Sequence, residues 1–104
     1  MKVDMKAGLC GWDGRALMEQ TDEGKRIPLT LRSVCGNALC TPFADEKIGG
    51  EEKVRRFTLA QRIFREDTPD LTPEELVLCR KLIERAYGTN VCAPAWELLQ
   101  TPAS

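Results

Sequence analysis

The chain has 104 residues, 42% hydrophobic and 30% charged, and its 15 Lys and Arg against 16 Asp and Glu leave a formal net charge of −1. This is the ordinary size and composition of one folded domain, 1–104, and it excludes a disordered chain. No overall basic field exists to recruit nucleic acid or an anionic membrane, and no apolar run approaches the roughly 20 residues of a membrane-spanning helix.

The first residues, Met1-Lys2-Val3-Asp4-Met5-Lys6, have no apolar stretch behind their positive charges. They are unlike a secretory signal, so the cytoplasm is the expected compartment. Residues 1–29 are expected to form a β-hairpin region. Asp13-Gly14 and Thr21-Asp22-Glu23-Gly24 are turn signals, and the short segments 15–20 and 25–29 flank the second of them. Pro28 has no N–H to give a ladder, so the second strand must be an edge or end there. Trp12 is expected to cover the hairpin from one side.

Residues 30–100 are expected to be helical. Helix one, 31 to 40, starts at Thr30 as cap with Leu29 and Val34 as a hydrophobic staple, and Thr41-Pro42 ends it. Its apolar positions are Leu31, Val34, Cys35, Ala38 and Leu39. Gly36 and Asn37 are weak helix formers that mark either a close helix contact or a marginal helix. Residues 43–50 connect to helix two, 51 to 66, which opens on Glu51-Glu52 at the positive end of its dipole. At about 100° per residue, Phe57, Ala60, Ile63 and Phe64 share its expected core face, with Val54 and Leu59 at the margins. Helix three, 73 to 87, has the fullest start signature. Leu71-Thr72-Pro73-Glu74-Glu75-Leu76 combines a Thr cap, Pro in the first turn, a capping-box Glu and a staple. Its stripe, including Leu76, Cys79, Leu82, Ile83 and Tyr87, spans about half the wheel, so helix three is expected at the centre of the fold. Gly88 suits the residue after its end. A short fourth helix is expected near 94 to 100, and 101–104 should fray. The fold class is thus α+β, mostly α: an N-terminal β-hairpin, three helices and a short C-terminal fourth.

Chemistry is sparse. Histidine is absent, which excludes Ser–His and Cys–His nucleophile pairs within one chain. The five cysteines, Cys10, Cys35, Cys40, Cys79 and Cys92, have no C-x-x-C spacing. They fit neither a zinc site nor a disulfide framework, and small buried apolar packing is the expected role. Cys10, between Leu9 and Gly11, is the most plausible exposed thiol. The acid pairs Glu51/Glu52 and Glu74/Glu75 are explained by helix starts. The glycines at 8, 11 and 14 lack the strand-to-helix context of a phosphate loop. No catalytic, metal or cofactor residues are therefore assigned.

Two kinds of surface remain. Arg55, Arg62 and Arg65 cluster on helix two, where they suit phosphate contacts or, more simply, a solvated face. Val77, on the polar side of helix three, and Trp12 and Trp96 are candidate exposed anchors for a protein partner. An unburied remainder of any apolar helix face would suggest a homodimer.

Three stretches taken in order carry a resemblance. They are Ile27-Pro28-Leu29-Thr30-Leu31-Arg32-Ser33-Val34 with Asn37-Ala38-Leu39; Gly50-Glu51-Glu52-Lys53-Val54-Arg55-Arg56-Phe57; and Leu71-Thr72-Pro73-Glu74-Glu75-Leu76 through Ala95-Trp96-Glu97-Leu98-Leu99. Across about 13–100 the chain resembles a group of small proteins encoded by tailed phages and prophages. The matching residues are capping and core positions. The resemblance implies a phage origin and action in the bacterial cytoplasm, and it carries no functional residues. It is compatible with inhibition of a host or defence factor, or with a virion-assembly accessory such as a tail assembly chaperone. The expected function is a non-enzymatic module that binds another protein. A nucleic-acid binder acting through helix two is the alternative.

Overall fold

The computed structural model describes residues 1–103, in which an antiparallel hairpin precedes four helices. Strand β1 (Met18–Gln20) pairs with β2 (Arg26–Pro28), Met18 opposite Pro28 and Gln20 opposite Arg26. Helix α1 spans Leu31–Cys40, α2 Gly50–Arg65, α3 Pro73–Ala86 and α4 Thr89–Leu99. This is the mostly helical α+β class that the sequence predicts.

The hairpin turns where expected. Gly24 adopts φ +83, a left-handed conformation suited to glycine, and its N–H donates to Thr21 O at 2.9 Å. The ladder ends at Pro28. Beneath it, three chain segments meet at leucines. The Leu9 N–H donates to Leu29 O, that of Leu29 to Leu17 O, and that of Leu17 to Leu9 O, each at 2.8–3.0 Å. Trp12 does not cover the hairpin, because its loop turns it into solvent.

The first residues contribute more than the sequence reading allowed. Val3, Met5 and Leu9 are buried, while Lys2, Asp4 and Lys6 face water. The alternation along 2–6 is that of a half-buried extended segment. Val3 and Met5 donate their N–H groups to Pro69 O and Asp67 O, and Met5 O accepts from Arg32 N, so this segment ties the α2–α3 connection to the start of α1.

Helix starts follow the sequence chemistry. Thr30 Oγ1 accepts from Ser33 N. The capping box of α3 is complete: Glu75 N donates to Thr72 Oγ1 at 3.1 Å, and Thr72 N to Glu75 Oε1 at 2.9 Å. At the other end of α2, Arg32 donates to Ile63 O at 3.0 Å and Glu66 O at 3.2 Å. A cation thus satisfies the free carbonyls at the negative end of that dipole.

Three expectations are corrected. First, α4 begins at Thr89, five residues before Pro94, so Pro94 lies inside it. The missing N–H leaves the Asn90 carbonyl without its helical donor; Asn90 is exposed, and water can serve it. Gly88 is the extended N-cap of α4 at φ −80, not a left-handed helix end. Secondly, the central helix is α1, which touches α2, α3 and α4. Five of its ten residues are buried, and the space beside Gly36 is open, so that glycine marks no close contact. Thirdly, α2 turns a different face inward. Arg56, Leu59 and Ile63 are buried, and Phe57 and Phe64 are outside. In the tail, Ala103 N donates to Lys2 O at 2.9 Å; the last position of the expected frayed segment, Ser104, lies outside the described residues.

Candidate protein interface

The outward face of α2 follows from how its inward face is filled. Leu59 and Ile63, four residues apart, pack into the core beside α1. Arg56 shares that side, and its guanidinium needs partners there. Nη1 and Nη2 donate to Glu46 Oε1 and Oε2 at 2.7 and 3.0 Å, and Nε donates to Glu52 Oε1 at 3.2 Å. This two-pronged geometry is the strongest that arginine makes with a carboxylate. Its hydrogen bonds hold the Glu46 carboxyl below the usual range. Arg85 of α3 reaches Glu46 at 3.4 Å, pairs with Asp45 and lies over the Phe43 ring at 4.6 Å. The loop between α1 and α2 is thereby fastened to both α2 and α3.

That fastening shapes a groove of about 740 Å³ between the loop and α2, walled by Leu39, Pro42, Phe43, Ile48, Val54 and Phe57. Outside it the apolar surface continues along the helix. Val54 is 64% exposed, Phe57 57% and Phe64 75%. With Gln61 between the two phenylalanines, these residues form a single row on the outer side of α2.

The basic arc is largely spoken for. Arg62 donates to Glu75 Oε2 at 2.9 Å and Oε1 at 3.2 Å and to the Asp70 carbonyl at 2.7 Å. Burial tends to raise the Glu75 carboxyl, but the Thr72 N–H and Arg62 outweigh it and hold it below the usual range. The capping acid of α3 thus also joins α2 to α3. Arg55 lies 3.5 Å from Glu52, and Arg65 makes no ion pair among the described residues. The three arginines therefore do not act as one set of free cations.

The remaining candidates are separated. Val77 is exposed alone on α3, and Trp12 is 92% exposed beside Thr89, Asn90 and Pro94 at the start of α4. Trp12 N donates to Asn90 Oδ1 at 3.3 Å, which fixes the loop but leaves the indole free. Trp96 is not an exposed anchor: it is half-buried, and Nε1 donates to Arg80 O at 3.1 Å. Phe57, Phe64 and Val54 were missed as surface residues because α2 carries two apolar rows, and the sequence reading placed the aromatic one inside. The signal for the other choice was the Leu59–Ile63 pair, preceded on the same face by Glu52 and Arg56.

Thiol chemistry has little footing. Cys35 and Cys79 are buried together, and a hydrogen bond between them that favours the protonated Cys35, followed by burial, pushes the Cys35 thiol up. Burial raises Cys92 as well. Cys10 is exposed, as its loop position suggested, and Cys40 is exposed as well, against the expectation of a buried cysteine. Among the described residues no cluster of three or more metal-ligating side chains occurs, and no helix is long and apolar enough to cross a membrane. Comparison with known proteins finds no matching family model, no matching curated protein and no matching solved structure.

Proposed function

We propose that this chain is a small non-enzymatic phage-type protein that acts in the bacterial cytoplasm by occupying a surface on another protein, a host or defence factor. Its docking face is the outer row of α2 with the adjoining groove. The observation that carries this is the exposure of Val54, Phe57 and Phe64 on one helix face, next to a groove walled by further apolar side chains. A contiguous apolar patch of this kind is unusual on a surface without a partner, and aromatic residues beside a groove are the usual anchors of protein interfaces. The ion pairs of Arg56 and Arg85 hold the groove wall in place, which lowers the ordering cost of binding. The nucleic-acid alternative has weaker support, because Arg62 is committed to Glu75 and Asp70.

The test is affinity recovery from bacteria producing the wild type or the Phe57→Glu, Phe64→Glu double variant. One dominant bacterial protein should accompany the wild type, and the double variant should lose it while keeping its circular dichroism spectrum. Recovery of virion structural proteins alone, from infected cells, would replace host inhibition with an assembly role. Equal recovery by both forms would remove α2 as the docking face.

A further inference from the structure

The row on α2 also has the form of a helix-pairing seam. Val54, Phe57, Gln61 and Phe64 follow one another at intervals of three, four and three residues, the spacing that presents a stripe to one partner helix. All four point away from the core side defined by Arg56, Leu59 and Ile63. Glu51, Thr58 and Arg65 recur every seven residues along one edge of the stripe, and Lys53 and Ala60 lie along the other.

We propose that α2 pairs with α2 of a second copy of this chain, antiparallel, about a two-fold axis level with Leu59. The proposal rests on reading the row as a docking face, for which the second copy and the host or defence factor would compete. Charge selects this partner and this direction. Glu51 and Arg65 are exposed, and neither enters an ion pair among the described residues, although Glu52, Arg55, Arg56 and Arg62 all do. They stand at opposite ends of the same edge, so they cannot meet within one helix. When the helix is turned end for end on its own copy, Glu51 comes to Arg65 of the second copy, and symmetry makes the pair twice. Thr58 then faces Thr58, and on the other edge Ala60 faces Ala60, where small side chains permit close approach.

The same turn makes the stripe complementary. Val54 meets Phe64 of the second copy, a small residue against a large one, and Phe57 meets Gln61. Antiparallel helices also set each positive dipole end beside a negative one. Parallel pairing would place Arg65 against Ala60 and Thr58 against Lys53, with no opposite charges in contact. Helix α2, 16 residues long, gives a short seam, so self-association of roughly micromolar strength is expected, at the weak end for specific interfaces.

Light scattering behind size exclusion, with loading raised from micromolar toward millimolar, measures this directly. The wild-type mass should pass from one chain to two. Glu51→Arg alone and Arg65→Glu alone should each weaken dimerisation roughly tenfold, since each turns two attractions into two repulsions. The combined Glu51→Arg, Arg65→Glu chain should dimerise as the wild type does. A mass of one chain throughout, or a combined variant no better than either single one, would overturn the pairing. The two readings fail separately. A monomeric wild type whose recovered partner is lost in the Phe57→Glu, Phe64→Glu variant overturns only the pairing. A dimer with wild-type charge behaviour, in a protein whose partner recovery ignores those phenylalanines, upholds the pairing and removes only partner docking on this face.

Discussion

Arg56 occupies a core position on α2 only because Glu46 and Glu52 meet it there. Removing one member of a buried pair strands the other, so Arg56→Ala should cost about 3 kcal/mol in urea unfolding, against less than about 0.5 kcal/mol for Arg65→Ala on the surface. The same contacts set an acid limit. Hydrogen bonds from Arg56 hold Glu46 below its ordinary value, and a hydrogen bond from Arg32 does the same for Asp67. Carboxyls lowered on folding add stability that is fully present above their unfolded pKa values. It is lost as pH falls through the folded ones. The urea midpoint should therefore hold steady from pH 7 to about 5 and drop below about 4, and Arg56→Met should flatten that drop. At this scale the Thr72–Glu75 capping box was legible, because its partners are three residues apart. The Arg56–Glu46 pair was not: Arg56 is one of four basic residues in helix two between 53 and 62, and only the path of the 41–49 loop shows which one turns inward.

Helix starts were legible for the same local reason, and α1 begins at Leu31 behind Thr30 as its sequence indicates. Two elements escaped. Pro94 suggested a helix beginning there, but packing of Val91 and Cys92 against the core carries α4 back to Thr89 across the missing hydrogen bond. The first residues looked featureless beside stronger signals, although Val3 and Met5 alternate with charged neighbours. Met5 is fully buried among core residues, so Met5→Ala should lower stability by about 2–4 kcal/mol, a loss that denaturant unfolding resolves and that a merely solvent-facing leader would not show. The inward face of α2 is hidden in its sequence for a further reason. Periodicity finds apolar rows but does not say which row the core takes, and here the row with the larger side chains was left outside.

At the scale of the whole molecule, the core is built on α1, and α2 is held to α3 through Arg62–Glu75 and to the loop through Arg56–Glu46. One face of α2 is spent in this way. The other carries Val54, Phe57 and Phe64 with nothing over them, while Val77 and Trp12 stand singly elsewhere. The proposed meeting face with other proteins is this row, rather than either isolated residue. A photo-crosslinking side chain placed at position 57, and in separate chains at 77 and 12, tests it in producing bacteria. Position 57 should give discrete crosslinked species, to a second copy or to a partner, and positions 77 and 12 should give none. Crosslinks from 77 or 12 with silence at 57 would contradict it.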